Sequence, residues 1–213
     1  MINMIKSAAE AHFRLTKQDI GDFSQIKGRG MHFKTTVYQA EEIGRLCLME
    51  MKAFAGLMRM DTGVFSPVGL DGPIFSFDYI KAFGKETLIA ELYDTTISHP
   101  AFEELEEVKS KYAYLPAHDP GEHWFDKMRL PVSDFKRGRK ITEDVTRMMK
   151  DYSELYFRLL DECAPCDPEE KKKCNAVFVN GLLQNGGPAV DTFKKMIGYE
   201  KTDEFLKNCM FYC

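Results

Sequence analysis

The chain has 213 residues, 44% of them hydrophobic, enough for one sizeable core, so a single domain over residues 1–213 is the expectation. Charged residues make up 29% and the formal net charge is −4, which excludes a nucleic-acid binder held by a general positive field. No apolar run is long enough to span a bilayer, and the opening MINMIKSAAEAHFRLTKQD lacks the apolar core and small-residue cleavage site of a secretory signal, so a soluble, cytoplasmic protein is expected.

Met4, Ile5, Ala8, Ala11, His12 and Leu15 fall at helical spacing and predict an amphipathic opening helix over about 3–18. A glycine-punctuated loop follows over 21–30. Over 37–51 the pattern is ambiguous: Gln39, Ala40, Glu41 and Glu42 read as helix, while 52–60 reads as extended strand. From 54 to 96, turn signals at 61–63, 67–72 and 84–86 separate aromatic and β-branched runs. This is a strand meander, and connections so short allow only antiparallel pairing.

Within it the stretch 71–98, DGPIFSFDYIKAFGKETLIAELYDTTIS, sets Asp78 and Glu91 in strand-like apolar sequence. Alternation places Ile89, Glu91 and Tyr93 on one face and Leu88, Ala90 and Leu92 on the other. Buried there, Glu91 would have its pKa pushed up toward that of a usable proton donor. On a solvated face, or beside a lysine, it would remain an ordinary carboxylate.

The second half is helical in character. His99-Pro100 leads into AFEELEEVKSKYAYL, and the longest irregular stretch, 116–133, has a length that often contributes to a site. ITEDVTRMMKDYSELYFRLLDEC predicts a long helix with Thr142 as its cap. Val145, Met148, Met149, Tyr152, Leu155, Tyr156 and Leu159 form its buried side, and Pro165 and Pro168 end it. Helices over about 169–183 and 188–209, the second broken at Gly198, complete an α+β domain with helices packed on a sheet.

Six cysteines without an export signal read as reduced thiols. Cys163, Cys166 and Cys174, with Cys209 and Cys213, lack the two close ligand pairs of a structural zinc site. His118, Asp119, Glu122 and His123 are four potential ligands in six residues, but proline and glycine around them favour a surface loop. Lys136, Arg137, Arg139 and Lys140 form a compact basic cluster, either a solvated loop or a patch that steers an acidic partner. No GxGxxG follows a strand, no Walker loop occurs and no hydrolase spacing is present, so redox chemistry would draw its electrons from outside.

PIFSFDYI, a turn, then LIAELYDTT resembles the sheet core of the ferredoxin-dependent bilin reductases, where a Pro-aliphatic-Phe-Gly-x-Asp strand turns into one bearing the catalytic acid. FVNGLLQNGGPAVDTFKKMIG, followed by a helix ending in Met210-Phe211, is similar to that family's C-terminus. The matching pieces lie chiefly in 52–98 and 175–212. The resemblance implies a three-layer α/β/α sandwich with a central antiparallel sheet, and an open-chain tetrapyrrole between the sheet and the C-terminal helices. It also implies no tightly bound cofactor and no metal, single electrons from reduced ferredoxin, and protons from carboxyl groups.

Carried onto this sequence, the resemblance makes Glu91 the principal proton donor, where most of those reductases have aspartate and the related red chlorophyll catabolite reductases have glutamate. Asp78 and Asn185 become substrate contacts. Gly186 and Gly187 stand where the family's second aspartate belongs, which leaves Asp191 as the second acid. Lys136, Arg137, Arg139 and Lys140 become the ferredoxin dock. The implied reaction is ferredoxin-dependent reduction of a biliverdin-like bilin; the missing aspartate keeps open a tetrapyrrole binder without turnover, and an accidental resemblance would leave an unrelated α+β interaction module.

Overall fold

The computed structural model describes residues 1–213, the side chain of Pro188 excepted. Its centre is a sheet of eight antiparallel strands among the described residues: β1 (Leu15–Gln18), β2 (Gln25–Gly28), β3 (Met31–Ala40), β4 (Gly44–Ala53), β5 (Met58–Pro67), β6 (Ile74–Ala82), β7 (Lys85–Tyr93) and β8 (Asp134–Gly138). From β3 to β7 each strand pairs with the next in sequence, β8 closes one edge on β7, and β1 and β2 share the free edge of β3.

Helices cover both faces. On one side lie α1 (Ile2–Glu10), α2 (Leu105–Lys111) and α3 (Thr142–Asp161), packed on Leu46, Phe65, Phe75, Phe77, Leu88 and Leu92. On the other lie α4 (Pro168–Asn185), α5 (Pro188–Ile197) and α6 (Tyr199–Phe205), which continues into a π-helical turn over Leu206–Met210. These cover Val37, Cys47, Met49, Val64, Ile74 and Tyr93. Period-two alternation in one set of strands thus serves two cores, and the expected three-layer α/β/α sandwich is what forms.

Several local expectations differ from the structure: the loop expected over 21–30 contains β2, and the extended strand expected over 52–60 is broken at Phe54–Gly56 between β4 and β5. The opening helix stops at Glu10, because Leu15–Gln18 pairs with β3 instead. Gln39 to Glu42 belongs to the β3–β4 hairpin, with Glu41 at φ 41° in its turn. Residues 61–63 lie inside β5, where Gly63 leaves room for the Phe77 ring; a Cβ there would stand 2.1 Å from the ring. Thr142 is the first residue of α3 and not its cap; its hydroxyl donates to Glu86 at 2.9 Å.

Candidate active site

Between the sheet and α4 to α6 lies a cavity of about 430 Å³, within the size range of small-molecule sites. Successive strands supply its floor through every second residue: Met49 and Met51, Met58, Met60 and Thr62, Ser76, Asp78 and Ile80, Ile89, Glu91 and Tyr93. The helices add Phe178, Leu182, Val190, Phe193 and Met210, and the loop over 116–133 adds His118, His123, Phe125 and Arg129. That loop is stitched beside β7 by Leu130 N–H donating to Leu92 O at 2.8 Å and Asp94 N–H to Met128 O at 2.7 Å. The long irregular segment does contribute to a site. A more open cleft of about 630 Å³ near Asp22, Arg45 and Glu204 contains neither Asp78 nor Glu91.

Asp78 and Glu91 meet across the β6–β7 pair as diagonal neighbours, since Asp78 faces Ile89 and Glu91 faces Ser76. Their surroundings differ. Asp78 is half-buried, opening onto the cavity, and accepts a hydrogen bond from the Thr62 hydroxyl. Burial, opposed by that bond and reinforced by the nearby Glu91 charge, pushes its carboxyl up to about 6. Glu91 is buried, and Arg129 donates from Nε to its Oε1 at 2.9 Å, a second guanidinium nitrogen stands 2.9 Å from the same oxygen, and Tyr93 donates to its Oε2 at 2.6 Å. Each of these contacts uses Glu91 as an acceptor. Burial and the neighbouring carboxylate raise the Tyr93 phenol well above its ordinary range.

Arg129 also pairs with Asp126 at 2.8 Å and lies over the Phe125 and Phe135 rings. Sequence reasoning missed it. Its partner is 38 residues away, and the loop that carries it has no periodicity to read. His118 and His123, read above as surface-loop residues, both reach the lining; His123 stacks on Phe125 at 4.9 Å. Among the described residues no group of three His, Cys, Asp or Glu side chains is arranged to hold a metal ion.

The remaining predicted residues lie elsewhere. Asn185 is exposed at the end of α4, its amide donating to Gly181 O at 3.1 Å, and Asp191 is exposed in the first turn of α5; neither lines the cavity. Arg137, Arg139 and Lys140 are exposed, whereas Lys136 is 4% exposed and pairs with Asp134 at 3.1 Å. Alternation along β8 turns Lys136 inward, which removes it from any docking surface. Lys171 is also buried, its ammonium donating to Thr95 O, Thr95 Oγ1 and Asn175 Oδ1, with its pKa lowered by burial to about 8.

No family model matches the sequence, and no curated protein matches it. Among solved structures, phytochromobilin synthase from tomato in complex with biliverdin superposes with a TM-score of 0.73, covering 98% of this chain and 82% of that one at 15% identity. The fold is that of phytochromobilin synthase. At that identity the likeness is one of architecture, and it agrees with the sandwich expected from the sequence. Among the described residues no helix is long and apolar enough to cross a membrane.

Proposed function

We propose that the protein reduces a linear tetrapyrrole of the biliverdin type, taking single electrons from reduced ferredoxin and protons from its own side chains. Reducing one carbon–carbon double bond takes two electrons and two protons. The observation that carries the reading is Asp78: a half-buried carboxyl pushed up to about 6, lining an otherwise largely apolar cavity, in a chain that shares the fold of a synthase solved with biliverdin. A carboxyl in that range can hold a proton near neutrality and release it when electron transfer makes the pigment more basic.

In this reading the principal donor is Asp78 and not Glu91. Glu91 is engaged by Arg129 and Tyr93, and its charge raises Asp78, so it acts as a positioning residue. The second proton has two imidazoles in the lining to come from, His118 and His123. Met31, Met49, Met51, Met58, Met60 and Met210 give the cavity flexible, polarizable walls suited to a large conjugated ligand.

The test is to titrate the purified protein with biliverdin under anaerobic conditions and then add reduced ferredoxin. A red-shifted or sharpened pigment band on binding, followed by its replacement with the band of a less conjugated product, is expected. A shifted spectrum that does not change after reduction would leave a tetrapyrrole binder, and an unshifted spectrum would remove the bilin altogether.

A further inference from the structure

The end of the sheet formed by the β2–β3, β4–β5 and β6–β7 turns is unlike the rest of the surface. Segments 27–34, 52–59 and 81–85 together carry seven Lys and Arg residues and no Asp or Glu, in a chain whose formal net charge is −4. Register places His32 opposite Lys52, Lys52 opposite Arg59 and Arg59 opposite Lys81. Like charges directly opposed across strands destabilise a sheet. Lys81 is offset by Glu86 at 3.5 Å, while Lys52 and Arg59 have no ion-pair partner among the described residues. Glu50 and Asp61 stand in the next row inward. Arg139 and Lys140 extend the basic rim, because Gly138 pairs with Glu86 at this same end.

The turns also hold apolar side chains out. Phe54, Leu57 and Phe83 are 60%, 65% and 68% exposed, and the two phenyl rings lie 6.1 Å apart. Phe83 has φ 50° and precedes Gly84 at φ 75°, the two-residue turn geometry for which asparagine followed by glycine is favoured. Phe54 and Ala55 are likewise left-handed, at φ 49° and 52°. Backbone strain that presents a phenyl ring to water costs stability twice, and such strain clusters where a surface has work to do.

We infer that this end of the sheet docks an acidic protein, the one-electron donor of the proposed reaction, with Phe54, Leu57 and Phe83 as its apolar centre and the cations as its rim. The inference rests on the proposed function for the donor's identity. Position favours it: Met31, Met51, Met58, Met60 and Ile80 follow or precede the rim residues in their strands and line the cavity. A carrier seated here would therefore be separated from a bound pigment by little more than the sheet itself. The contact must form and break for each electron, and steering by exposed charge around a small apolar centre gives fast, weak association.

The experiment measures binding of a plant-type [2Fe–2S] ferredoxin by calorimetry at low and high salt, for wild type, Lys52→Glu with Arg59→Glu, and Phe83→Asn, each also titrated with biliverdin. The charge reversal should weaken ferredoxin at low salt by about tenfold or more and abolish most of the salt dependence. Phe83→Asn, which relaxes the turn and so keeps the fold, should weaken it at both salt concentrations. Biliverdin titrations should coincide for all three proteins. Unchanged ferredoxin affinity in both variants would overturn the docking surface, as would cosedimentation of wild type, and not of the variants, with phosphatidylserine-rich vesicles. Ferredoxin binding that maps as described in a protein that ignores biliverdin would keep the surface and reject the bilin reaction.

Discussion

The two faces of the sheet are built from alternate residues of the same strands, yet one is filled and the other is not. Beneath α1, α2 and α3 the sheet presents Phe65, Phe75, Phe77, Tyr79 and Leu92, and α3 answers with Tyr152, Tyr156 and Phe157; Phe75 lies 4.7 Å from Tyr156 between ring centroids. Beneath α4 to α6 the corresponding positions are Met60, Thr62, Ser76 and Asp78, and a cavity remains. Rings that interlock fill space and fix each other's rotamers. Short polar groups and flexible methionines leave space and allow the walls to move. The difference separates the face that holds the protein together from the face that does its chemistry.

That contrast breaks most visibly under truncation. Phe75→Ala should cost roughly 3–5 kcal/mol, as a large-to-small change in a packed core. Met60→Ala, in the floor of an existing cavity, should cost only about 1 kcal/mol, since little new void is made. Urea titrations of the two variants check this. Equal losses would mean that the cavity side is packed as tightly as the other.

A second test uses pH. The folded-state pKa of Asp78, about 6, lies above the 3.8 of an ordinary aspartate, so the folded protein binds more protons between those values. The stability that Asp78 contributes is complete below pH 3.8 and is lost as pH rises through 6. Asp78→Asn keeps an acceptor for Thr62 and removes the buried charge. It should match wild type near pH 4 and exceed it at pH 8 by about 2–3 kcal/mol, the linkage value for a shift of two units. A variant equally or less stable at pH 8 would show that Asp78 does not carry the burial penalty.

Much of this contrast was legible in the sequence. Alternation across 71–98 placed Ile89, Glu91 and Tyr93 on one face and Leu88, Ala90 and Leu92 on the other, as found. Most of the buried side of α3 was legible for the same reason, because a long period-3.6 pattern admits few other readings; Leu155 is only half-buried, and Phe157 and Leu160 complete the face. Residues whose meaning depends on a distant partner were not legible. Gly63 looked like turn punctuation but makes room for a ring from β6. Lys136 looked like part of a surface cluster until strand β8 turned it toward Asp134. Glu91 was recognised as unusual, but Arg129, which decides its role, sits in a loop with no pattern.

The smallest expected effect concerns Asp191 and Asn185, which lie outside the cavity. Asp191→Asn and Asn185→Ala should leave stability within about 0.5 kcal/mol, as exposed substitutions usually do. They should also leave biliverdin affinity and turnover close to wild type. A selective loss of turnover in Asp191→Asn would bring α5 into the chemistry and require it to move over the cavity.

The central claim is that the proton comes from Asp78 and that Glu91 positions it. Its most direct test is a single-turnover measurement on pigment-loaded protein mixed with excess reduced ferredoxin, following the pigment spectrum for Asp78→Asn and Glu91→Gln across pH. Asp78→Asn should bind biliverdin and lose roughly 10²–10⁴-fold in rate below pH 6, the usual cost of removing a general acid, with the deficit shrinking at higher pH as Asp78 deprotonates in wild type. Glu91→Gln should lose less, and its rate should begin to fall at lower pH than in wild type, because removing the Glu91 charge lowers the pKa of Asp78. Near-normal turnover by Asp78→Asn with complete loss in Glu91→Gln would contradict the account and return the donor role to Glu91.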